Sequence, residues 1–233
     1  MSEGVRLNKF LASCGAGSRR ACDALIASGR VEVNGAPCVK MATRVSEEDS
    51  VRVDGKRMFP KEEVVVIFYK PRGYVCTRSD ELGRETIYDL LPGSLQNLHH
   101  VGRLDSDSEG MLIMTNDGDL SQQLMHPSKS VEKEYLVTSN QAFENVHLDQ
   151  FLAGIFTEEG KLQAKKIERV SARRIKIILD HGAKRQIRLM LEALGYQVTK
   201  LLRVRIGSLW LGDLEPGGWA VLNQKEVQKL LKS

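Results

Sequence analysis

Long apolar runs are missing from this chain of 233 residues. The longest, Val64 to Tyr69, is far shorter than the roughly 20 residues a membrane-crossing helix needs. The opening Met1-Ser2-Glu3-Gly4-Val5-Arg6 lacks the apolar stretch of a secretory signal, so a cytoplasmic protein with no membrane partner is expected. Cysteine is sparse. Cys14, Cys22, Cys38 and Cys76 form no C-x-x-C pair, which argues against a zinc ribbon or a redox motif and predicts reduced, mostly buried thiols. A G-x-S-x-G elbow is absent too, and with it the frame of a serine hydrolase.

What remains is an ordinary globular composition, 42% hydrophobic and 27% charged, in a chain long enough for one large domain or a large one plus a small one. The net charge of +4 is unevenly spread. Residues 1–60 carry +3, residues 61–160 carry −9, and residues 161–206 carry +10. A basic third of that density is the usual footprint of a polyanionic partner.

Leu7, Phe10 and Leu11 fall at helical spacing, and Ser18 is placed to cap a second helix that points Ala21, Leu25 and Ile26 inward until Gly29 stops it. Val31-Glu32-Val33-Asn34-Gly35 alternates into a turn dipeptide, and Val51-Arg52-Val53-Asp54-Gly55 repeats the device. Lys9, Arg19, Arg20 and Arg30 surround these helices as a basic face. Beyond Pro60, the run Val64–Tyr69 reads as a strand buried on both faces, Met111–Met114 as another, and strands are predicted at Tyr135–Thr138, Arg174–Leu179 and Lys200–Ile206. Ile187, Met190, Leu191 and Leu194 make a helical stripe ended by Gly195, and Asn223 with Glu226 marks a capped last helix carrying Val227, Leu230 and Leu231.

The loop from His99 to Gly110 is rich in carboxylates and feeds a buried strand. Asp105, Asp107 and Glu109 have a spacing that hints at a hard cation, but the twelfth loop position holds Asn116 where a calcium loop needs Glu. No metal is expected. His99 and His100 read as turn-flanking residues rather than a base.

Two resemblances sharpen this picture. Arg6-Leu7-Asn8-Lys9-Phe10-Leu11-Ala12, Gly17-Ser18-Arg19-Arg20 and Gly29-Arg30-Val31-Glu32-Val33-Asn34-Gly35 are similar to the S4 RNA-binding domain, whose phosphate-contacting arginines lie where Ser18-Arg19-Arg20 lies. Gly102-Arg103-Leu104-Asp105-x-x-Ser108-x-Gly110-Met111-Leu112 resembles G-R-L-D-x-x-T-x-G-L, the central signature of pseudouridine synthases of the RsuA/RluB type. Tyr69-Lys70-Pro71-Arg72-Gly73, Lys133-Glu134-Tyr135, the stretch Lys184–Gly195 and the stretch Leu202–Gly207 resemble that family's other motifs in the right order. Ser108 stands where Thr is usual, Met111 where Leu is usual, and Ala183 lies in a stretch where the family often has Asn or Arg.

These resemblances imply an α+β protein. An S4-like helix-helix-strand module at 1–58 and a linker at 59–63 precede a catalytic domain at 64–233, built on a mixed, mostly antiparallel sheet flanked by helices. They imply isomerisation of a uridine in ribosomal RNA, free or in a precursor particle, by a monomer that needs no cofactor. Asp105 would be the catalytic carboxylate, acting at C1′, at the base, or as a base on the sugar. Tyr135 would stack on the flipped uracil, and Arg188 or Arg185 would pair with Asp105. Lys9, Arg19, Arg20, Arg30, Lys184, Arg203 and Arg205 would face RNA, the last two from the basic side of a strand, and Lys70 and Arg103, each flanking a turn, would be phosphate-facing or structural rather than catalytic. Two other classes compete: an RNA-binding assembly protein with an inactive catalytic domain, and a metal-dependent nuclease using Asp105 and Asp107.

Overall fold

The computed structural model describes residues 4–232. They form two compact units, one reaching to Glu63 and taking in Asn116–Gly118, the other holding Val64–Thr115 and the chain from Asp119 onward.

In the first unit β1 (Val5–Arg6) leads into α1 (Leu7–Ser13) and α2 (Arg19–Ala27), followed by β2 (Val31–Val33), β3 (Ala36–Pro37), β4 (Arg44–Val45), β5 (Val51–Val53) and β6 (Lys56–Arg57). The Ser18 hydroxyl accepts the Ala21 N–H at 3.2 Å and so starts α2. The strands β3-β2-β5-β6 form an antiparallel sheet whose hairpins turn at Asn34-Gly35 and Asp54-Gly55, all four with positive φ, the geometry that matches the twist of two-residue hairpins. Leu7, Leu11, Cys22, Ile26, Val31, Val45 and Val51 make the core. The inward positions of α2 are thus Cys22 and Ile26 with Leu25 half-buried; Ala21, expected inside, is exposed because its neighbour Cys22, i−4 to Ile26, takes the inward face of the first turn.

The second unit contains β7 (Val65–Lys70), β8 (His99–Val101), β9 (Glu109–Thr115), all but the first residue of α3 (Gly118–Met125), β10 (Lys133–Ser139), α4 (Asn145–Ala153), β11 (Ile155–Thr157) and β12 (Gly160–Leu162). It continues with β13 (Lys166–Ser171), β14 (Arg174–Leu179), α5 (Gln186–Ala193), β15 (Val198–Ile206), β16 (Leu209–Trp210), β17 (Trp219–Val221) and α6 (Gln224–Leu230). The main sheet runs β13-β14-β10-β15-β9-β7-β17, with β16 on β15 and β8 on β9. Every pairing is antiparallel except β15 with β9. This is a mixed α+β fold with a mostly antiparallel sheet.

The unbroken apolarity of β7 has a simple cause. Val65, Ile67 and Tyr69 pack with α3 and α6 on one face, while Val66 and Phe68 pack with Ile87, Leu95 and Leu98 on the other. A different cluster lies beside α5, whose Ile187, Met190 and Leu191 cover Val137, Ile175 and Ile177. Asn223 and Glu226 close a capping box on α6, but only Leu230 is buried there; Leu231, expected inside, follows the last turn and is exposed. No helix among the described residues is long and apolar enough to cross a membrane.

The single parallel pairing positions the carboxylate-rich loop, because it sets Arg203 opposite Gly110 at the loop's end. Gly110 has φ +108°, and a Cβ there would stand 2.3 Å from the Arg203 carbonyl oxygen and 2.8 Å from its nitrogen. Gly110→Ala is therefore expected to cost about 3 kcal/mol, from backbone strain together with displaced strand pairing. Urea unfolding checks this, and an unchanged midpoint would contradict the tight β9–β15 approach.

Candidate functional site

Between β8 and β9 the chain makes a short loop whose tip, Asp105-Ser106-Asp107-Ser108, is closed by the Ser108 N–H bonding the Asp105 carbonyl at 3.1 Å. The loop is held from behind by cations. Lys70, at the end of β7, is fully buried, and its ammonium donates to the carbonyls of Ser108 at 2.8 Å, Pro71 at 2.9 Å and Ser106 at 3.5 Å. Arg188 on α5 donates to the Asp107 carbonyl at 3.0 Å and the Ser108 hydroxyl at 3.3 Å, and Arg203 on β15 donates to the Met111 carbonyl at 2.7 Å. Cys76 adds a thiol that donates to the Leu104 carbonyl at 3.3 Å while its sulfur accepts the Leu104 N–H at 3.4 Å.

Charge at the tip is balanced asymmetrically. Arg188 Nε lies 3.2 Å from an Asp107 carboxylate oxygen, and Arg185 Nη1 lies 3.6 Å from that same oxygen and 3.8 Å from Asp105. Arg185 is the residue before α5 and takes a left-handed conformation, φ 54°, which turns its side chain back toward the loop. Burial draws the Arg188 guanidinium below the ordinary arginine value, opposed by Asp107. Burial likewise lowers Lys70, with Cys76, Asp107 and Asp105 pulling the other way.

Asp105 opens into a cavity of about 450 Å³. Tyr135, only 9% exposed, lines it from β10 alongside Arg203; Arg103, Lys184 and Arg185 stand exposed at its wall, and Leu104, Ile187 and Leu201 supply apolar surface. Lys133, two residues before Tyr135, lines the cavity as well and donates to the Val131 carbonyl at 2.9 Å. Burial pulls its ammonium down to about 8; Arg203 pushes the same way and Asp180 opposes. The arrangement offers one carboxylate, one phenol, an apolar slot for a flat ring and several cations for an anionic chain. Among the described residues no three His, Cys, Asp or Glu side chains converge to hold a metal ion. Glu109, the third carboxylate of the loop, is paired with Lys200 at 3.0 Å.

A family model described as RNA pseudouridylate synthase matches residues 64–193, and the S4 domain model matches residues 5–51. The chain belongs to the RNA pseudouridylate synthase family. The chain is 38% identical over 244 residues to a Vibrio cholerae protein named ribosomal large subunit pseudouridine synthase B, covering 99% of this chain and 74% of the relative. It is 34% identical over 231 residues to the Bacillus subtilis protein of the same name, covering 97% and 95%. A crystal structure of a pseudouridylate synthase superposes with a TM-score of 0.71 at 30% identity, covering 97% of this chain and all of that one.

Several residues of this synthase sit differently from the positions expected of them. Lys70 does not face RNA: it is sealed beneath the loop it supports. Arg205 is not on an open basic face either: Leu201, Arg203 and Arg205 share the buried side of β15, and Leu202 and Val204 on the other side are half-buried. Arg205 is buried, bonds Glu134 at 2.9 Å and Glu132 at 3.0 Å, and stacks its guanidinium 5.7 Å from the Trp210 ring. Arg203 is buried as well, but at the cavity wall. Arg188 pairs with Asp107, so Arg185 is the arginine beside Asp105. In the S4 unit Arg19 and Arg20 are exposed on the first turn of α2, Lys9 is half-buried, and Arg30 donates to Asp54 across the second hairpin turn. Asp107 was weighed in the sequence only as a cation ligand or nuclease carboxylate, and Lys133 only as part of the Lys133-Glu134-Tyr135 motif. The signal for Lys133 was a lysine facing inward on a strand, and for Asp107 a second carboxylate within reach of two arginines.

Replacing Lys70 by Met keeps volume but takes the ammonium donor from the Pro71 and Ser108 carbonyls, while Ser106 keeps the Gly73 N–H at 2.7 Å. A loss of about 3 kcal/mol is expected in chemical denaturation. A variant as stable as wild type would show that the loop does not depend on this cation.

Proposed function

We propose that this synthase converts a uridine of ribosomal RNA to pseudouridine, with Asp105 as the catalytic carboxylate acting on a base extruded from its stack. The observation that carries the reading is the meeting of Asp105, Tyr135 and cationic side chains around one cavity. The names of the Vibrio and Bacillus relatives favour large-subunit RNA as the source of that uridine. In the isomerisation the C1′–N1 bond breaks, the uracil turns, C1′ joins C5, C5 gives up its proton and N1 gains one. The exchange is redox-neutral and asks for no cofactor.

Asp105 would reach the sugar or the base from its stiff loop, with Arg185 balancing its charge against the approach of phosphates. Tyr135 would hold the detached uracil by stacking and offer its hydroxyl to it. Arg103, Lys184, Arg203 and Lys133 would neutralise the backbone at the cavity. Residues 1–58 would dock structured RNA through Arg19, Arg20, Lys9 and Arg30, joined through 59–63 to a catalytic domain at 64–233. The protein would act as a cytoplasmic monomer.

Asp105→Asn should abolish tritium release from C5-labelled uridine in ribosomal RNA, at least about 10³-fold, with RNA affinity within about twofold of wild type, because affinity rests on many phosphate contacts. No release by wild-type protein from any ribosomal RNA or precursor would remove the enzyme reading. Arg19→Ala with Arg20→Ala should weaken binding and reduce the salt slope by about 2, whatever the RNA sequence. Lys133 supplies a pH signature. Its ammonium is lost as pH rises through about 8, well before ordinary lysines, so RNA affinity should fall between pH 7 and 9. Lys133→Arg should flatten that fall, and an equal fall in both proteins would exclude Lys133 as its source.

A further inference from the structure

Beside the main cavity lies a second one of about 310 Å³ that shares Leu124, Met125, Lys133, Gly182 and Ala183 with it. Its far wall carries His126, Asp180 and His181. None of these three lines the main cavity. A uridine seated against Asp105 remains attached to its neighbours through phosphates, and the shared walls lead a neighbour from the first cavity into the second. We propose that the second cavity binds the nucleotide next to the target uridine and prefers a base bearing an exocyclic amino group. The inference rests on the uridine reading of the main cavity.

The polar groups are sorted for that task. Lys133 stands at the junction, where its ammonium meets the connecting phosphate. His126 accepts the Ser128 N–H on Nδ1 at 3.2 Å, so its neutral ring carries the hydrogen on Nε2 and presents a donor to phosphate or ribose. His181 is the opposite case. Its Nδ1 lies 2.9 Å from the Asp180 carboxylate, which fixes the hydrogen on Nδ1 and leaves Nε2 an acceptor in the neutral ring. The bond to His181 holds the Asp180 carboxyl below its usual value, so this residue too is an acceptor at neutral pH. Two acceptors side by side suit the two N–H donors of the amino group of adenine, cytosine or guanine, whereas uracil offers a single N3–H between two carbonyls and leaves at least one acceptor unpaired. Leu124 and the thioether of Met125 provide an apolar wall for the flat face of that base.

Binding of UMP and of the dinucleotides UpA, ApU and UpU to the full chain, followed by NMR through the imidazole signals of His126 and His181, tests this without relying on turnover. UpA or ApU should move both imidazoles and bind at least about fivefold tighter than UpU, whereas UMP should leave them still; which of the two binds tighter tells the side of the neighbour. His181→Ala should remove the preference while leaving UMP affinity unchanged. Asp180→Asn, which adds a donor, should shift the preference toward UpU. Equal affinity for all three dinucleotides, unmoved imidazoles, or a loss of UMP binding in His181→Ala equal to that of UpA would each overturn the proposal. Tritium release from ribosomal RNA reads the uridine isomerisation separately: a dinucleotide preference without release rejects the enzyme reading alone, and release without the preference rejects the subsite alone.

Discussion

The site depends on positive charge placed behind a loop of negative charge. Lys70, Arg188 and Arg203 direct hydrogen bonds to the main-chain carbonyls of Ser106, Asp107, Ser108 and Met111, and of the three only Arg203 also lines the cavity. Taking a cation out of water is strongly unfavourable unless its protons find acceptors, and carbonyls turned toward the interior need donors for the same reason. Each group makes the other's burial tolerable. The consequence is a loop whose backbone is fixed by the core, so that Asp105 projects from a rigid support into a cavity open enough to admit a ligand.

This arrangement requires contacts that no local stretch of chain supplies. The donors of these bonds lie 38, 81 and 92 residues from their acceptors. The parallel pairing of β15 with β9 brings Arg203 to the loop, and α5, packed by Ile187, Met190 and Leu191 onto the sheet, brings Arg185 and Arg188. Gly110 lets the two strands come close enough. The fold and the site therefore share one set of residues.

Most elements were legible because their patterns have one physical meaning. A stripe at 187, 190, 191 and 194 ended by Gly195 specifies a helix with one buried face, and alternation into Asn-Gly or Asp-Gly specifies a hairpin. The solid apolar run at β7 pointed to burial on both faces, and two separate core clusters meet there. Two separate motifs singled out Asp105 and Tyr135, and both line the same cavity. The direction of the arginines was not legible. An alternation of Arg and apolar residues along β15 reads as a strand with its arginines in water, yet Arg203 and Arg205 are buried while Leu202 and Val204 beside them are only half-buried. A basic side chain in a strand carries no mark of whether its partner will be water, a carbonyl or a glutamate.

Sequence alone determined the family, the presence of an S4 module ahead of the synthase segment, the periodic elements and a cluster of carboxylates in a glycine-framed loop, because helix and strand periods and motif order are local properties of the chain. Tertiary structure decided which cations are buried and which are open: Lys70 and Arg205 turned inward, Arg185 beside Asp105, Arg188 beside Asp107, and Lys133 between two cavities. The reason is that the burial of a charge is set by what packs over it, and the covering atoms come from distant parts of the chain.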